Sequence, residues 1–228
     1  MTVTLLALDT ATEACSAALL HDGQVYQRAQ VAPRLHAQLL LPMIEEILGE
    51  AGITLAQVDA LVFGRGPGAF TGVRVATGMV QGLAFAADKP VLGISNLAAL
   101  AQRAWREHGA EQVCAAIDAR MDEVYWGCYR LQDGAMTLVG AETVCAPEQV
   151  TLARGLESHS HSPVGAGTGW QYAERLAVKV SASHPQLLPD ATDLLSLALP
   201  AWQAGAAVDA ADAQPVYLRD KVATPKQG

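Results

Sequence analysis

"FGRGPGAFTGVRVATG", residues 63–78, follows an apolar run and sets four glycines and one proline in its first ten positions before a helical pattern begins. So glycine-rich a turn has two physical uses: backbone amides that cradle a phosphate, or a bend that lets another segment come close. A Walker loop needs GxxxxGK[ST], and no lysine stands here. "GRGPGA", residues 64–69, does match G-x-G-x-x-A between a strand and a helix, the setting of a dinucleotide fingerprint. Pro67, however, has no amide to offer a phosphate, and Asp88, the acid at the required distance, precedes the next strand instead of ending it. A tight strand-to-helix turn is therefore expected, with Gly66 and Gly68 in backbone conformations closed to other residues. The helix beyond it carries Gly72, Ala76, Thr77, Gly78, Gly82 and Ala86, which leave its surface bare. Each internal glycine costs about 1 kcal/mol relative to alanine, and small residues four apart let another backbone dock closely.

Upstream, "VTLLALDT" (3–10) reads as a strand, and "ACSAALLHDGQVYQRAQV" (14–31) as a hairpin around Asp22-Gly23. From Pro33 to Gly49, Leu35, Leu39, Leu40, Met43, Ile44, Ile47 and Leu48 recur at helical spacing, which predicts an amphipathic helix. "VDALVFG" (58–64) and "PVLGIS" (90–95) are further strands flanking a helix over 70–86, so one α/β lobe closes near residue 100. A second pass starts with the helix "NLAALAQRAWREHG" (96–109). It continues with strands "QVCAAIDAR" (112–120), "EVYWGCYRL" (123–131), "MTLVGAETV" (136–144) and "SPVGAGTG" (162–169). The recurrence of a three-stranded meander followed by crossovers points to a duplicated α/β fold with lobes 1–100 and 101–228.

The chain has 228 residues, 51% of them hydrophobic, enough for a sizeable core. No apolar run reaches membrane-spanning length, and the N-terminal stretch lacks a signal-peptide pattern, so a cytosolic protein without a membrane partner is expected. Cys15, Cys114, Cys128 and Cys145 show no metal-ligand spacing and read as small buried thiols. A formal net charge of −8 with only 15 Lys and Arg leaves no broad phosphate-neutralising face, so the isolated chain should bind nucleic acid poorly.

Other candidate chemistry is thin. His159 and His161 lack a third ligand and read as a solvated loop. Asp118, Arg120, Asp122 and Glu123 crowd a strand turn as paired acids or as a charged rim that braces the hairpin or meets a partner. Ser16, Ser95 and Thr71 have no triad partners in order. "GAGTG" (165–169) reads as turn glycines, and His36 as either a surface or a core-covering residue.

Five segments agree in order with one family. "LALDTATEACSAAL" (6–19), "HAQLLLPMIEEIL" (36–48), "GRGPGAFTGVRVATGMVQGLA" (64–84), "DARMDEVYWGCY" (118–129) and "PVYLRDKVA" (215–223) resemble the TsaB (YeaZ) family. That family acts in bacterial synthesis of threonylcarbamoyladenosine (t6A) next to the tRNA anticodon. The resemblance implies an actin-like, duplicated ribonuclease-H-like fold. It also implies a complex with the catalytic paralogue TsaD and the ATPase TsaE, in which TsaC makes threonylcarbamoyl-AMP, TsaD transfers the group and TsaB is required without being the catalyst. The metal-binding histidines of TsaD would fall on Asn96 and Leu100, and its glycine-bearing phosphate turn on "DARMDEV" (118–124), which has no glycine. Asp9 and Thr10 occupy the place of the first phosphate motif of actin-like ATPases, again without a glycine. The expectation is a subunit with no catalytic residue, metal or cofactor. Its partner face is formed by Leu39, Met43, Arg74, Thr77, Gly78 and Gln81, used for TsaD or for a second copy when TsaD is absent, and tRNA is met only through the complex. The rival is an ATP-dependent enzyme, a small kinase or phosphatase, using Asp9 and the interlobe cleft. A peptidase requires the missing histidine pair.

Overall fold

The computed structural model describes residues 2–156 and 162–219. The first sheet is built from β1 (Leu5–Asp9), β2 (Ala14–His21), β3 (Gln24–Val31), β4 (Ala60–Gly64) and β5 (Val91–Ile94), in the order β3-β2-β1-β4-β5. The second takes β6 (Gln112–Arg120), β7 (Glu123–Gln132), β8 (Ala135–Cys145), β9 (Val164–Ala166) and β10 (Ala182–His184), in the order β10-β9-β6-β7-β8. Both sheets have their first strand at the centre, two antiparallel strands to one side and two parallel strands to the other. The same topology has been laid down twice.

Among the described residues four α-helices complete the fold: α1 (His36–Ala51), α2 (Phe70–Ala87), α3 (Asn96–His108) and α4 (Ala191–Gln203). The α1 period sets Leu40, Met43, Ile44 and Ile47 inward and closes on Gly52, whose φ of 69° lets its N–H cap the last turn. Along β1 the alternation of a strand divides the core: Leu6 and Leu8 meet α1 and α2, while Leu5 and Ala7 meet Leu194, Leu195 and Ala198 of α4. A strand covered on both faces reads as an unbroken apolar run, which is why "LLAL" shows no alternation. In the second lobe α3 covers one face with Leu97, Leu100 and Ala104; Trp170, Leu176 and Val178 cover the other. The helical crossovers of the first lobe are replaced, among the described residues, by 3-10 turns at Pro147–Gln149 and Thr168–Tyr172.

The expected division at residue 100 falls inside α3, which packs on the second sheet, while α4 and the chain after it return to the first. Val208 pairs with Val91, Gln81 donates to the Ala213 carbonyl at 3.0 Å, and the Val216 N–H donates to the Arg65 carbonyl at 2.7 Å. The first lobe is thus assembled from both ends of the described chain. Arg106 on α3 and Asp193 on α4 join the lobes by paired hydrogen bonds of 2.9 and 2.8 Å, with Asp193 fully buried.

Candidate functional site

The end of β1, the glycine turn and the start of α3 converge on Asp9. Its Oδ1 accepts a hydrogen bond from Asn96 Nδ2 at 2.6 Å, and Asn96 Oδ1 in turn accepts from the Gly66 N–H at 2.7 Å. A Cβ on Gly64 would lie 2.1 Å from Asp9 Oδ1, so this packing needs a glycine there. Asp9 is fully buried, its Oδ2 has no partner among the described residues, and desolvation raises its pKa from 3.8 to about 6 despite the Asn96 and Ala11 hydrogen bonds. Thr10 is equally buried and donates to the Gly72 carbonyl at 2.7 Å. Neither residue, the two weak cofactor-binding candidates, is presented to a ligand.

The glycine turn is closed by the protein itself. A Cβ on Gly68 would stand 2.4 Å from the Ala11 carbonyl oxygen and one on Gly72 2.1 Å from that of Thr10, while the Ala69 N–H donates to Ala11 at 2.7 Å. These glycines admit the β1–β2 turn, where a phosphate cradle would require solvent. At the metal position, the Asn96 amide is spent on Asp9 and Gly66, and Leu100 is buried in the apolar core. These two side chains do not fit a metal ion of the kind histidines hold.

Between the lobes a cavity of about 360 Å³ is lined by Glu13, Phe70, Asp118, Arg120, Thr168 and Arg219, among others. Its cations are already paired: Arg120 with Asp118 at 2.8 Å and, across the lobes, with Glu13 at 3.4 Å, and Arg219 with Glu123. Arg175 takes Asp122 at 3.1 Å and Glu148 at 2.6 Å. The acids at this turn brace the hairpin, whose residues 120–122 all hold positive φ. "GAGTG" is filled likewise, since a Cβ on Gly165 would meet the Trp170 ring at 2.4 Å. His159 and His161 lie outside the described residues, and among the described ones no group of three or more His, Cys, Asp or Glu could hold a metal.

The helical face is different. Gly78 and Gly82 lie exposed with nothing among the described residues within 4 Å of an added Cβ, and Phe85, one turn further along the same stripe, is 86% exposed. Arg74 lies 3.4 Å over the Phe70 ring, with Tyr217 of the C-terminal segment beside it. Leu39 is half-buried against the first core. Met43 and Thr77, expected on the face, point inward instead: their periodicity places them toward the sheet, and Thr77 donates to the Val73 carbonyl at 2.9 Å. Gln81 is tied to the chain's own Ala213. Phe85 went unread, though its spacing from Gly78 and Gly82 (i, i+4, i+7) was the available signal.

Two copies of one sheet topology, with the phosphate turns filled by the chain's own backbone, define a two-lobed, actin-like protein. A family model described as "TsaD: tRNA N6-adenosine threonylcarbamoyltransferase" matches residues 28–223. The tRNA threonylcarbamoyladenosine biosynthesis protein TsaB of Escherichia coli (strain K12) is 45% identical over 97% of both chains. That of Haemophilus influenzae is 44% identical over 96% of this chain and 95% of its own. The solved structure of YeaZ from Pseudomonas aeruginosa shares 60% of its sequence and superposes with a TM-score of 0.92, covering 95% of this chain and all of that one. The chain belongs to the TsaB family, a paralogue of TsaD.

Proposed function

We propose that this chain serves t6A biosynthesis as a non-catalytic subunit, which binds and orders a TsaD-type catalytic paralogue together with a TsaE-type ATPase. The near-full-length likeness to TsaB proteins is the observation that carries the biosynthetic role. The sealed carboxylate supports the non-catalytic part. A catalytic Asp must touch a substrate, and Asp9 is enclosed by Asn96 and Gly64 with no water-filled approach. The outer face of α1 and α2 supports partner binding: Leu41, Gly78, Gly82 and Phe85 leave apolar, sterically open surface that the second lobe does not cover. When the paralogue is absent, the same face pairs with a second copy, and tRNA is met through the assembled complex.

Reconstituted t6A synthesis with purified TsaC-, TsaD- and TsaE-type proteins tests this. Gly78→Trp is expected to abolish co-elution with the TsaD-type protein and stop modification, while Asp9→Asn leaves the rate near that of the unaltered chain. Tight ATP–magnesium binding and turnover by the isolated chain, lost in Asp9→Asn, would favour a small kinase or phosphatase instead.

A further inference from the structure

Where the lobes meet, β5, the start of α3, β8 and α4 line a second, open cavity of about 530 Å³. Its walls are apolar, with Ile94, Met136, Leu138 and Leu197 contributing, and its polar groups converge on one carboxylate. Ser95 Oγ and the Tyr129 hydroxyl both donate to Glu142 Oε1. Both donors are nearly inaccessible, Ser95 at 8% and Tyr129 at 1% exposure, so Glu142 is held in one orientation by groups that cannot move. Arg65, on the turn after β4, lines the same cavity, and among the described residues it makes no ion pair with Glu142 or any other acid. Its charge still reaches the Tyr129 hydroxyl, lowering a pKa that burial and Glu142 push well above the usual phenol value.

We propose that this cavity binds a small zwitterion with an apolar side chain, an α-amino acid of the leucine or methionine type. Glu142 is only partly buried, is held by two hydroxyls of the chain and has no cation paired with it among the described residues, so its charge is not neutralised within the fold. Glu142 keeps Oε2 for an ammonium donor, and the Arg65 guanidinium fits a carboxylate by paired N–H donors. A simple anion is repelled by Glu142 and a simple cation by Arg65; only a molecule carrying both charges satisfies the two groups together. The Ile94, Met136, Leu138 and Leu197 wall then takes the side chain. The cavity shares no lining residue with the interlobe cleft, although its Ser95 and Arg65 are chain neighbours of Asn96, Gly64 and Gly66, which pack around Asp9.

Titration calorimetry of the whole chain with L-leucine and L-methionine is the test, with leucinamide and 4-methylpentanoate as analogues that each lack one charge. Saturable binding of the amino acids is expected, with each analogue weaker by at least about tenfold. Arg65→Met should erase the preference over leucinamide, and Glu142→Gln the preference over 4-methylpentanoate. The analogue comparison on the unaltered chain holds even if Glu142→Gln fails to fold. Absence of binding at millimolar concentrations, equal binding of the analogues, or folded variants that bind as well as the parent overturns the proposal.

Discussion

Replacing Gly78 by alanine separates what the bare α2 surface costs from what it provides. Gly78 sits in the interior of an 18-residue helix with open space where a Cβ would go, so the methyl meets no clash and removes only the helix penalty of glycine. That penalty is about 0.8–1.0 kcal/mol. For a domain of this size each kcal/mol moves the melting temperature by about 2–4 °C, so Gly78→Ala should melt roughly that much higher. Gly82→Ala should do the same. Gly72→Ala must go the other way, because its Cβ would lie 2.1 Å from the Thr10 carbonyl oxygen and the β1–β2 turn would have to move, an overpacking cost of about 1–3 kcal/mol. The assay is calorimetric melting of the isolated chain at low concentration, so that self-association does not stabilise it, followed by elution with the TsaD-type protein. The docking proposal requires that Gly78→Ala and Gly82→Ala, more stable alone, bind the paralogue more weakly, since each methyl holds the two backbones apart. A lowered melting temperature for Gly78→Ala would show that the face is not open. Unchanged binding by the double variant would show that the glycines are not there for a partner.

Other consequences follow from the buried charges and the C-terminal segment. Because folding raises the Asp9 pKa from 3.8 to about 6, the native state holds the proton more tightly than the unfolded chain. No penalty exists below about pH 4; it grows through pH 6 to about 3 kcal/mol, and the stability of the parent relative to Asp9→Asn should fall by that amount between pH 4 and pH 7 in urea titrations. Parallel curves would refute it. Arg106→Ala leaves Asp193 fully buried without its cation and should cost about 3 kcal/mol, the lower end for a broken buried pair because the Arg106 side chain is 41% exposed. Tyr217→Ala removes a ring 5.8 Å from Phe70 and beside Arg74, with an expected loss of about 1 kcal/mol and faster proteolysis of the C-terminal segment.

The architecture was legible because period and punctuation agree: two meanders, each followed by a parallel strand, and helices with clean apolar stripes at Leu40, Ile44 and Ile47. What escaped was nonlocal. α4 falls in a stretch to which the sequence reading assigns no element, although Asp190 caps it at Thr192 and Leu194, Leu195, Leu197 and Ala198 repeat at helical spacing. Its return to the first sheet has no local signal at all, since Ala191–Gln203 could cover either lobe equally well. The site divides similarly. Absence of a Walker lysine was readable, but whether a glycine faces solvent or a carbonyl depends on which strand end lies opposite, and that is fixed by the β1–β4 register. Met43 and Thr77, expected on the outer face of their helices, turn toward the sheet instead, because small or adaptable residues carry little periodic information.

The filled turns and the open helix bear on one another. In a two-lobed nucleotide enzyme the cleft must admit a phosphate and the lobes must be free to close on it. Here the β1–β2 turn occupies the glycines, Asn96 occupies Asp9, and Arg120 reaches across to Glu13 while Arg219 holds Glu123 and the Arg120 carbonyl. The chain from Val208 to Arg219 then runs from β5 past α2 to the second lobe's hairpin, crossing the junction a second time. Such cross-ties work against closure and favour a fixed spacing between lobes. The proposed function would draw on that property, because a face held rigid before docking loses less entropy on binding than one that must be ordered at the interface. The glycines of the cleft turn thus lock the scaffold, and Gly78 and Gly82 on α2, left uncovered among the described residues, are the ones on which the docking proposal rests.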